Sequence, residues 1–401
     1  MLRSLFSGIS GLRAHQTMLD VTGNNIANVN TAGFKASQVQ FQDTLSQVLT
    51  NAGAPQAAVG GTNPAQVGLG VKVAGVTTNF QQGAAQLTNR ATDMMISGDG
   101  FFVVEKDGQQ LYSRAGAFSF DALGQLVTPD GALVQGWAAD AAGEVDLNRP
   151  LVDLRLPVSA LMGASGTASA TYEGNLPAEA AAGTVLNRQI EVFDASGAKH
   201  ALNLAFTRTA TGWDIAGTVQ GTSATQTGSI TFTADGAIDT LTFPAFPADA
   251  AVGLAPIAVD LTALTGFAGV ETVAAASQDG RAAGTLQSFT INGDGTLLGS
   301  FSNGLKQAIG RVALASFANP SGLEKSGSSL FAPTVNSGDA QVGAAGTGGR
   351  GTLAGGSLEM SNVDLSAEFT NLIVAQRGFQ ANSRVITTSD EVLQELVNLK
   401  R

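Results

Sequence analysis

The chain has 401 residues, of which 44% are apolar and 13% charged, so it is long enough for two or three domains but has about half the usual charged fraction. Its net charge of −11, without a cluster of Lys and Arg, argues against binding to nucleic acid or to anionic lipid. The absence of cysteine excludes disulfides, thiolate metal sites and cysteine nucleophiles. The sequence contains no run of about 20 apolar residues, so no membrane-spanning helix is predicted.

The first predicted element is a helix over residues 1–27. Gly23, followed by two asparagines, is expected to end or kink it. Its first residues have one positive charge, no continuous apolar core and no small-residue cleavage site, so we do not interpret them as a secretory signal peptide. Apolar residues recur every seven positions at Leu5, Leu12, Leu19 and Ile26. Ile9 occupies a neighbouring position of the same apolar stripe.

The signals are weaker between residues 28 and 70. We expect a turn after the first helix, a short second helix over Ala36–Val48, and a loop over residues 51–66, which are rich in Ala, Gly, Pro and Asn. From Val67 onward, apolar residues alternate with small or polar ones, and this period of two predicts a strand.

Hairpins are expected in the middle of the chain. Asp-Gly and Ser-Gly pairs, which tolerate the positive φ angles of tight turns, separate short apolar runs at residues 107–108, 130–131, 196–197, 235–236 and 294–295. Residues 140–185 and 271–284 are rich in small residues and are interpreted as crossings between two β-rich domains. Residues 336–357, rich in Gly, Thr and Ser, are interpreted as the connection to the last helix.

The chain is therefore predicted to be mainly β with helical termini (α+β), and its second β-rich domain is inserted within the first. We expect four parts: a terminal helical part of residues 1–30 and 362–401, a connecting part of 31–70 and 335–361, a first β domain of 71–145 and 285–334, and an inserted outer β domain of 146–284.

The strongest pattern lies at the C-terminal end. Ser361 and Asp364 have the spacing of a capping box, so one of them is expected to accept amide hydrogens from the first turn of a long helix. Neither terminal stripe is wide enough to stabilise a lone helix, so we expect both termini to be largely disordered in the monomer and to form a coiled-coil stalk on assembly. Apolar residues recur every seven positions at Leu358, Leu365, Leu372, Phe379, Ile386 and Leu393. Phe369 is expected to lie next to this row on the helix surface.

No catalytic motif stands out. The chain has two histidines, His15 and His200, and contains neither an H-E-x-x-H pair nor a Gly-x-Ser-x-Gly turn. Residues Gly346–Gly351 match G-x-G-x-x-G, but they occur in a run of small residues, which is typical of a flexible linker and not of the strand-to-helix turn of a dinucleotide site. We therefore predict a protein that is not an enzyme and has no metal or cofactor.

Two long motifs resemble the signatures of one family, the bacterial flagellar axial proteins of the rod and hook. Residues 23–35 are similar to its N-terminal signature through Gly23, Asn24, Asn25, Ala27, Asn28, Thr31, Gly33, Phe34 and Lys35. Residues 361–366 and 374–382 resemble its C-terminal signature through Asn362, Val363, Asp364, Gln376 and Arg377. Residues 67–76 and 97–102 also look like hook members of the family.

The segment over residues 23–35 also has a purely local explanation, a helix C-cap followed by an Asn/Gly turn. This explanation needs no ligand, and we adopt it. The segment is then expected to set the angle between the helices and the rest of the molecule.

The resemblance implies a structural subunit of the flagellar hook, which assembles with copies of itself into a flexible tube and, as a universal joint, transmits torque from rod to filament. The apolar rows of the two helices would pack between subunits. Implied partners are other copies, the distal rod protein, the hook cap, the hook–filament junction proteins and the flagellar type III export apparatus, with no nucleic acid and no membrane insertion. The subunit would lie at the cell exterior, exported without a cleaved signal peptide.

Other functions are left open by the motifs. A distal rod protein of the same family fits both signatures, although such members are generally shorter. An extracellular β-rich adhesin would carry a cleavable signal and would not need paired heptads, and a polysaccharide-degrading enzyme would need a pair of carboxylates in a cleft. Removing residues 362–401 is expected to leave a folded β core that no longer polymerises.

Overall fold

The computed structural model describes residues 2–54, 60–140, 142–156 and 161–398. The chain divides into two compact units. Unit 1 consists of Met1–Leu156, Thr290–Leu298 and Ala308–Arg401, and unit 2 consists of Pro157–Phe289 and Gly299–Gln307. The predicted mainly β fold with a helix at each end is confirmed. The finer division into four parts stays a prediction.

Two helices lie at the ends of unit 1, α1 over Leu2–Ala27 and α2 over Leu365–Asn398. They pack against each other in antiparallel orientation. The hydroxyls of Ser4 and Ser389 lie 3.4 Å apart near one end of the pair, and Asn25 Nδ2 donates to Glu368 Oε1 at 3.0 Å near the other. The expected packing of the terminal helices is thereby confirmed.

The start of α2 follows the predicted cap. Asp364 Oδ1 accepts hydrogen bonds from the amides of Ser366 at 2.8 Å and Ala367 at 3.3 Å. Leu358, by contrast, was predicted to be helical and instead lies in the strand Ser357–Glu359. A seven-residue spacing cannot distinguish a helical residue from an apolar residue in the strand just before the helix. The first helix ends at Ala27, as predicted for residues 1–27, so it is not ended by Gly23, and a kink at Gly23 stays a prediction.

Unit 1 continues with two β-ribbons, formed by β1 (Ser37–Asp43), β2 (Ser46–Thr50), β3 (Ala65–Gly68) and β4 (Val71–Thr78). β1 pairs with β4, and β2 pairs with β3, both antiparallel. The expected helix over Ala36–Val48 is wrong, because Val39 and Phe41 alternate with glutamines, which is the period of a strand. The strand predicted from Val67 is interrupted at Gly70, whose φ is +122°. Residues 55–59 of the predicted loop lie outside the described residues.

The strands that follow in unit 1 are arranged around the strand over Phe101–Lys106. In chain order, the next strands are β5 (Ala85–Leu87), β6 (Met94–Ser97), β7 (Phe101–Lys106), β8 (Gln109–Ser113), β9 (Ser119–Phe120), β10 (Leu126–Val127), β11 (Leu133–Ala138) and β12 (Val152–Asp153). β7 is buried on both faces, because Phe101 and Val103 belong to one buried cluster and Phe102 and Val104 belong to another.

Unit 2 is built from β13 (Leu161–Met162), β14 (Ser169–Asn175), β15 (Val185–Phe193), β16 (Lys199–Arg208), β17 (Trp213–Val219), β18 (Thr225–Phe232), β19 (Ile238–Thr242), β20 (Ala258–Thr265) and β21 (Ala274–Gln278). β15 to β19 form an antiparallel meander in sequence order, and β14 lies between β20 and β21 in a second sheet. Tyr172 and Leu261 of the second sheet share a buried cluster with Phe206 and Trp213 of the meander.

The chain then runs through β22 (Gly284–Ile291), β23 (Thr296–Phe301), β24 (Lys306–Val312), β25 (Leu314–Ser316), a 3₁₀ turn over Pro320–Gly322, β26 (Glu324–Lys325), β27 (Leu330–Ala332), β28 (Gln341–Gly343), β29 (Thr352–Gly355) and β30 (Ser357–Glu359). The linker predicted at Gly346–Gly351 is a hydrogen-bonded turn between β28 and β29. Arg350 Nε donates to Ala344 O at 3.2 Å, and Gly351 N donates to Asp99 O at 2.6 Å.

The predicted hairpins are confirmed. Antiparallel pairs flank the turns at 107–108, 130–131, 196–197 and 235–236, and β22 and β23 are neighbours across 294–295. The turn glycines have positive φ angles, as in Gly108 at +75° and Gly236 at +76°. The crossing predicted at 140–185 is shorter than expected, since it contains β12, β13 and β14.

Asp194 lies in the turn between β15 and β16 and accepts several hydrogen bonds there. Its Oδ1 accepts from the Ser196 hydroxyl at 2.7 Å and from the amides of Ser196 and Ala198 at 2.8 and 2.9 Å. These hydrogen bonds, above all that of the Ser196 hydroxyl, lower the pKa of Asp194 to about 2. Since its pKa is lower in the folded state, the carboxylate stabilises unit 2 above the unfolded value of 3.8, and this contribution is lost as the pH falls towards 2.

Replacing Asp194 with alanine should therefore lower the free energy of unfolding by about 1–2 kcal/mol at neutral pH. The difference from wild type should shrink as the pH falls from about 4 to about 2. Urea unfolding followed by the fluorescence of buried Trp213, in a Trp137→Phe background, measures this. Asp235→Ala, at an exposed carboxylate in another hairpin turn, is the control. A pH-independent difference would contradict the assignment.

Candidate assembly surface

The contact between α1 and α2 is made mainly by small and polar side chains. On α1 the contact is formed by Gly8 and Gly11, with Ala14 buried beside them. On α2 it is formed by Gly378, with Ala375 buried beside it. A Cβ on Gly11 would lie 2.6 Å from Asn382 Oδ1, and a Cβ on Gly378 would lie 2.5 Å from His15 Cε1. We call these residues, together with Asn382, the inner seam. Glycines allow the two helix backbones to approach closely, and Ile386 of α2 packs over Gly8.

The predicted apolar rows lie mainly outside this seam. None of the row residues on either helix is fully buried within the chain. Ile9, Leu365 and Phe369 are 40%, 40% and 51% exposed, and Phe379 is 39% exposed. The others are half-buried, namely Leu5, Leu12, Leu19, Ile26, Leu372, Ile386 and Leu393, and Ile386 also covers Gly8 of the same chain. The helix pair therefore presents an apolar surface that its own chain does not cover.

A buried charge cluster joins the N-terminal signature segment to β30 and to the stretch after β8 in unit 1. Lys35 Nζ lies 2.6 Å from Glu359 Oε1, and Arg114 Nη1 lies 3.3 Å from Glu359 Oε2. Lys35 and Glu359 are each 1% exposed and Arg114 is 2% exposed. Gly83 N at 2.8 Å also donates to Glu359 Oε1, and Lys35 Nζ donates to Gln81 O at 2.7 Å. The carboxylate of Glu359 thus holds together three separate stretches of the chain.

Burial has a clear effect on the two cations of this cluster. Removal from water lowers the pKa of Lys35, and the nearby Glu359 carboxylate opposes that shift. Burial likewise lowers the pKa of Arg114, whose guanidinium also lies 5.5 Å from the centre of the Phe101 ring. The cluster is stable only while Glu359 balances these buried charges.

Two asparagines of the signatures make hydrogen bonds between distant segments. Asn25 Nδ2 donates to Ser37 O at 2.8 Å and to Glu368, while Ser37 N donates back to Asn25 Oδ1 at 3.0 Å. Asn362 Oδ1 accepts from Ala36 N at 2.8 Å, and its Nδ2 donates to Asn79 O at the same distance. These asparagines fix the direction of both helices relative to β1 and β4.

The chain requires a glycine at position 33, because the backbone there passes very close to the backbone at Ala115. Its φ is +69°, its amide donates to Glu359 O at 2.7 Å, and a Cβ here would lie 2.6 Å from Ala115 Cα. Any other residue would be strained in φ and would push against the backbone at Ala115. The predicted role of the 23–35 segment in setting the helix angle is consistent with this geometry.

The other signature residues lie nearer the surface. Asn28 Nδ2 donates to Asn24 O at 2.9 Å, and Thr31 Oγ1 donates to Asn28 Oδ1 at 3.1 Å. Phe34 and Val363 are half-buried, and Gly23, Ala27, Gln376 and Arg377 are exposed. A Cβ on Gly23 would meet no described atom within 4 Å, so packing within the chain does not explain that glycine.

Sequence reasoning missed Glu359, Arg114, Glu368 and Lys325. Glu359 and Lys35 are 324 residues apart, and no local pattern indicates that they meet. One signal was available for Glu359. It is the only charged residue between Arg350 and Asp364, in a chain with few charges.

The described residues contain no group of three or more His, Cys, Asp or Glu side chains that could hold a metal ion. His15 lies in the inner seam of unit 1, and His200 lies in unit 2 with Nε2 3.4 Å from Asp194 Oδ2. Of the helices that the structure describes, none has the length and apolar character needed to cross a membrane.

Family models match four stretches of the chain, including both helices. They are described as Flagella basal body rod protein at residues 5–35, Flagellar hook protein FlgE/F/G D1 domain at 95–176, Flagellar basal body protein FlaE D2 domain at 167–281, and Flagellar basal body rod FlgEFG protein C-terminal at 354–399.

Complete proteins match as well. The chain is 40% identical to the flagellar hook protein FlgE of Borreliella burgdorferi, and 34% identical to the flagellar basal-body rod protein FlgG of Bacillus subtilis, with 100% of each chain covered in both cases. The crystal structure of Helicobacter pylori flagellar hook protein FlgE2 has a similar fold, with a TM-score of 0.54 at 13% identity over 69% of this chain and 100% of that one.

Proposed function

The chain belongs to the flagellar hook protein family and is a structural subunit of the hook, and from this premise we propose that its exposed helix rows are the surface through which copies assemble. This proposal depends mainly on one observation: the residues that hold the helix pair together differ from the apolar residues that the pair exposes. Mainly small and polar residues hold α1 to α2, while Leu365, Phe369 and Phe379 of the row on α2 are 40%, 51% and 39% exposed. Contiguous apolar surface of this kind marks an interaction site.

The geometry of the rows favours helix–helix contacts between copies. Residues spaced by seven lie along one side of a helix and suit the packing of a long helix beside another. A contact that uses different surfaces on the two partners, repeated without closing, produces a helical tube. The helices would form the inner part of this tube and the β-rich parts the outer part. The low fraction of charged residues suits sliding contacts between outer parts, as a bending joint requires.

The full set of expected partners belongs to this proposal. The family supports assembly of copies within the flagellum. We extend it to contacts with the distal rod protein, the hook cap and the hook–filament junction proteins, and to export by the type III apparatus without a cleaved signal. We also propose the four-part domain division and termini that are largely disordered in the monomer. The subunit is proposed to have no catalytic role.

The distal rod alternative is less favoured than the hook. The rod protein FlgG of Bacillus subtilis is 34% identical, whereas hook proteins reach 40% over the full chain, and the FlaE D2 model covers residues 167–281. This inserted region is the part that the motifs at the two ends could not assign.

The assembly surface is tested by changing the rows without touching the inner seam. The double variant Phe369→Ser, Phe379→Ser should fold with unchanged circular dichroism but raise the critical concentration for polymerisation by about tenfold or more, because each lost apolar contact weakens association. Ala381→Ser, at another exposed position of α2, should polymerise as wild type does. Normal polymers from the double variant would refute the assignment of the rows.

A further inference from the structure

A surface pocket of about 320 Å³ lies between the end of α1 and the turn that joins β26 to β27 in unit 1. Asn24, Asn28 and Phe34 of the N-terminal signature line one part of it. Lys325 and the turn Gly327–Ser329 line another part, and Leu330 and Phe331 add apolar surface. The pocket thus combines apolar lining with two lysines, of which Lys35 is paired with Glu359. Its lining includes signature residues that take no part in the buried charge cluster.

Lys325, the other lysine of the pocket, has no anionic partner among the described residues. Lys325 Nζ donates to Ser37 Oγ at 2.8 Å and to Lys35 O at 3.2 Å, and it lies 5.0 Å from the centre of the Phe34 ring. No described carboxylate lies within 4.0 Å of it, in contrast to Lys35, Lys106 and Lys199. Its charge is therefore held by neutral oxygens and an aromatic face, and its partial burial lowers the pKa of the ammonium group.

The wall of the pocket has an unusual backbone. Gly327, Ser328 and Ser329 have φ angles of +85°, +48° and +59°. Leu330 N donates to Gly327 O at 2.7 Å, so Ser328 and Ser329 are the central residues of the hairpin turn between β26 and β27, a turn type that requires positive φ at both positions. Ser113 Oγ donates to Ser329 O at 3.1 Å and fixes the turn against β8. The turn therefore forms a well-defined wall of the pocket beside Lys325.

We propose that this pocket receives an acidic side chain, flanked by apolar residues, from a second copy of this chain. The charge of Lys325 selects a carboxylate, and the Phe34, Leu330 and Phe331 surfaces select apolar neighbours. A second copy can supply this chemistry, because the chain has 32 acidic and 21 basic residues. The inference rests on the proposed function, since copies meet in the hook polymer. It adds a charged contact at the base of the helices to the apolar contacts along their rows.

Purified wild-type and variant chains test the role of the charge. Lys325→Gln should raise the critical concentration for polymerisation about tenfold, because each subunit would lose one charged contact with its neighbour. Lys325→Arg keeps the charge and should stay closer to wild type. Lys306→Gln, at an exposed lysine on β24, should have no effect. If Lys325→Gln polymerises as readily as wild type, the proposal is wrong.

A photo-crosslinking amino acid at Ser328 tests the occupant directly. In assembled hooks, mass spectrometry should find a link to a segment containing Asp or Glu in another copy. Exchanging the charges of Lys325 and that acid should then restore polymerisation. Links only within one chain, or to a different protein, in normal polymers would overturn this inference and leave the proposed function standing. Failure of the wild-type chain to polymerise would overturn the proposed function itself, and this inference with it.

Discussion

Replacing Glu359 with alanine should lower the free energy of unfolding of unit 1 by about 3–5 kcal/mol, the cost of leaving buried charges without their partner. The carboxylate pairs with Lys35 at 2.6 Å and with Arg114 at 3.3 Å, and all three side chains are at most 2% exposed. Its loss would leave two buried cations uncompensated. The amide of Gly83 would also lose its acceptor.

The measurement is urea unfolding followed by the fluorescence of Trp137, which is 4% exposed in unit 1, in a Trp213→Phe background. Glu359→Gln keeps the shape of the side chain and isolates the contribution of the charge. Glu324→Ala, at an exposed carboxylate on β26, should change the free energy by no more than about 0.5 kcal/mol. If Glu359→Ala were as mild as this control, the cluster would not stabilise the junction.

Removing α2 should abolish polymerisation while the β-rich parts stay folded. We expect this from a chain ending at Asp364 and from one ending at Ser361, because both lose the C-terminal row and leave α1 without its partner. The two end points differ in one contact set. The longer chain keeps Asn362, which accepts from Ala36 N and donates to Asn79 O, each at 2.8 Å.

The chain ending at Ser361 should therefore be less stable than the chain ending at Asp364 by about 1–3 kcal/mol, since Ala36 N would lose its partner. Thermal unfolding by circular dichroism compares the two, and electron microscopy checks both for polymers. Tubes of normal appearance from either truncated chain would contradict the assembly model. Equal stability of the two chains would contradict only the role assigned to Asn362.

The elements that the sequence predicted well are those with a local cause. Turn pairs such as Asp107-Gly108 and Asp235-Gly236 specify hairpins by themselves, because few other residues adopt positive φ. The helix over 365–398 follows from its heptad spacing and from the Asp364 cap. Errors occurred where one spacing fits two structures. Leu358 extended the heptad row into a strand, and the alternation of Val39 and Phe41 with glutamines was overlooked.

The buried cluster and the inner seam could not be predicted from the sequence. Glu359, Lys35 and Arg114 come from three distant stretches, and only the folded chain shows that they meet. Gly11 and Gly378 look like weak points in helical stripes, since glycine disfavours helices, yet they allow the helices to approach. Which side of each helix faces its own chain depends on these small residues, and not on the rows that dominate the pattern.

The most direct test of the account is electron microscopy of basal bodies from a strain that lacks this gene. A structural subunit of the hook predicts complete rods that end without hooks. Truncated rods would move the protein to the distal rod, and intact hooks and filaments would contradict the account as a whole.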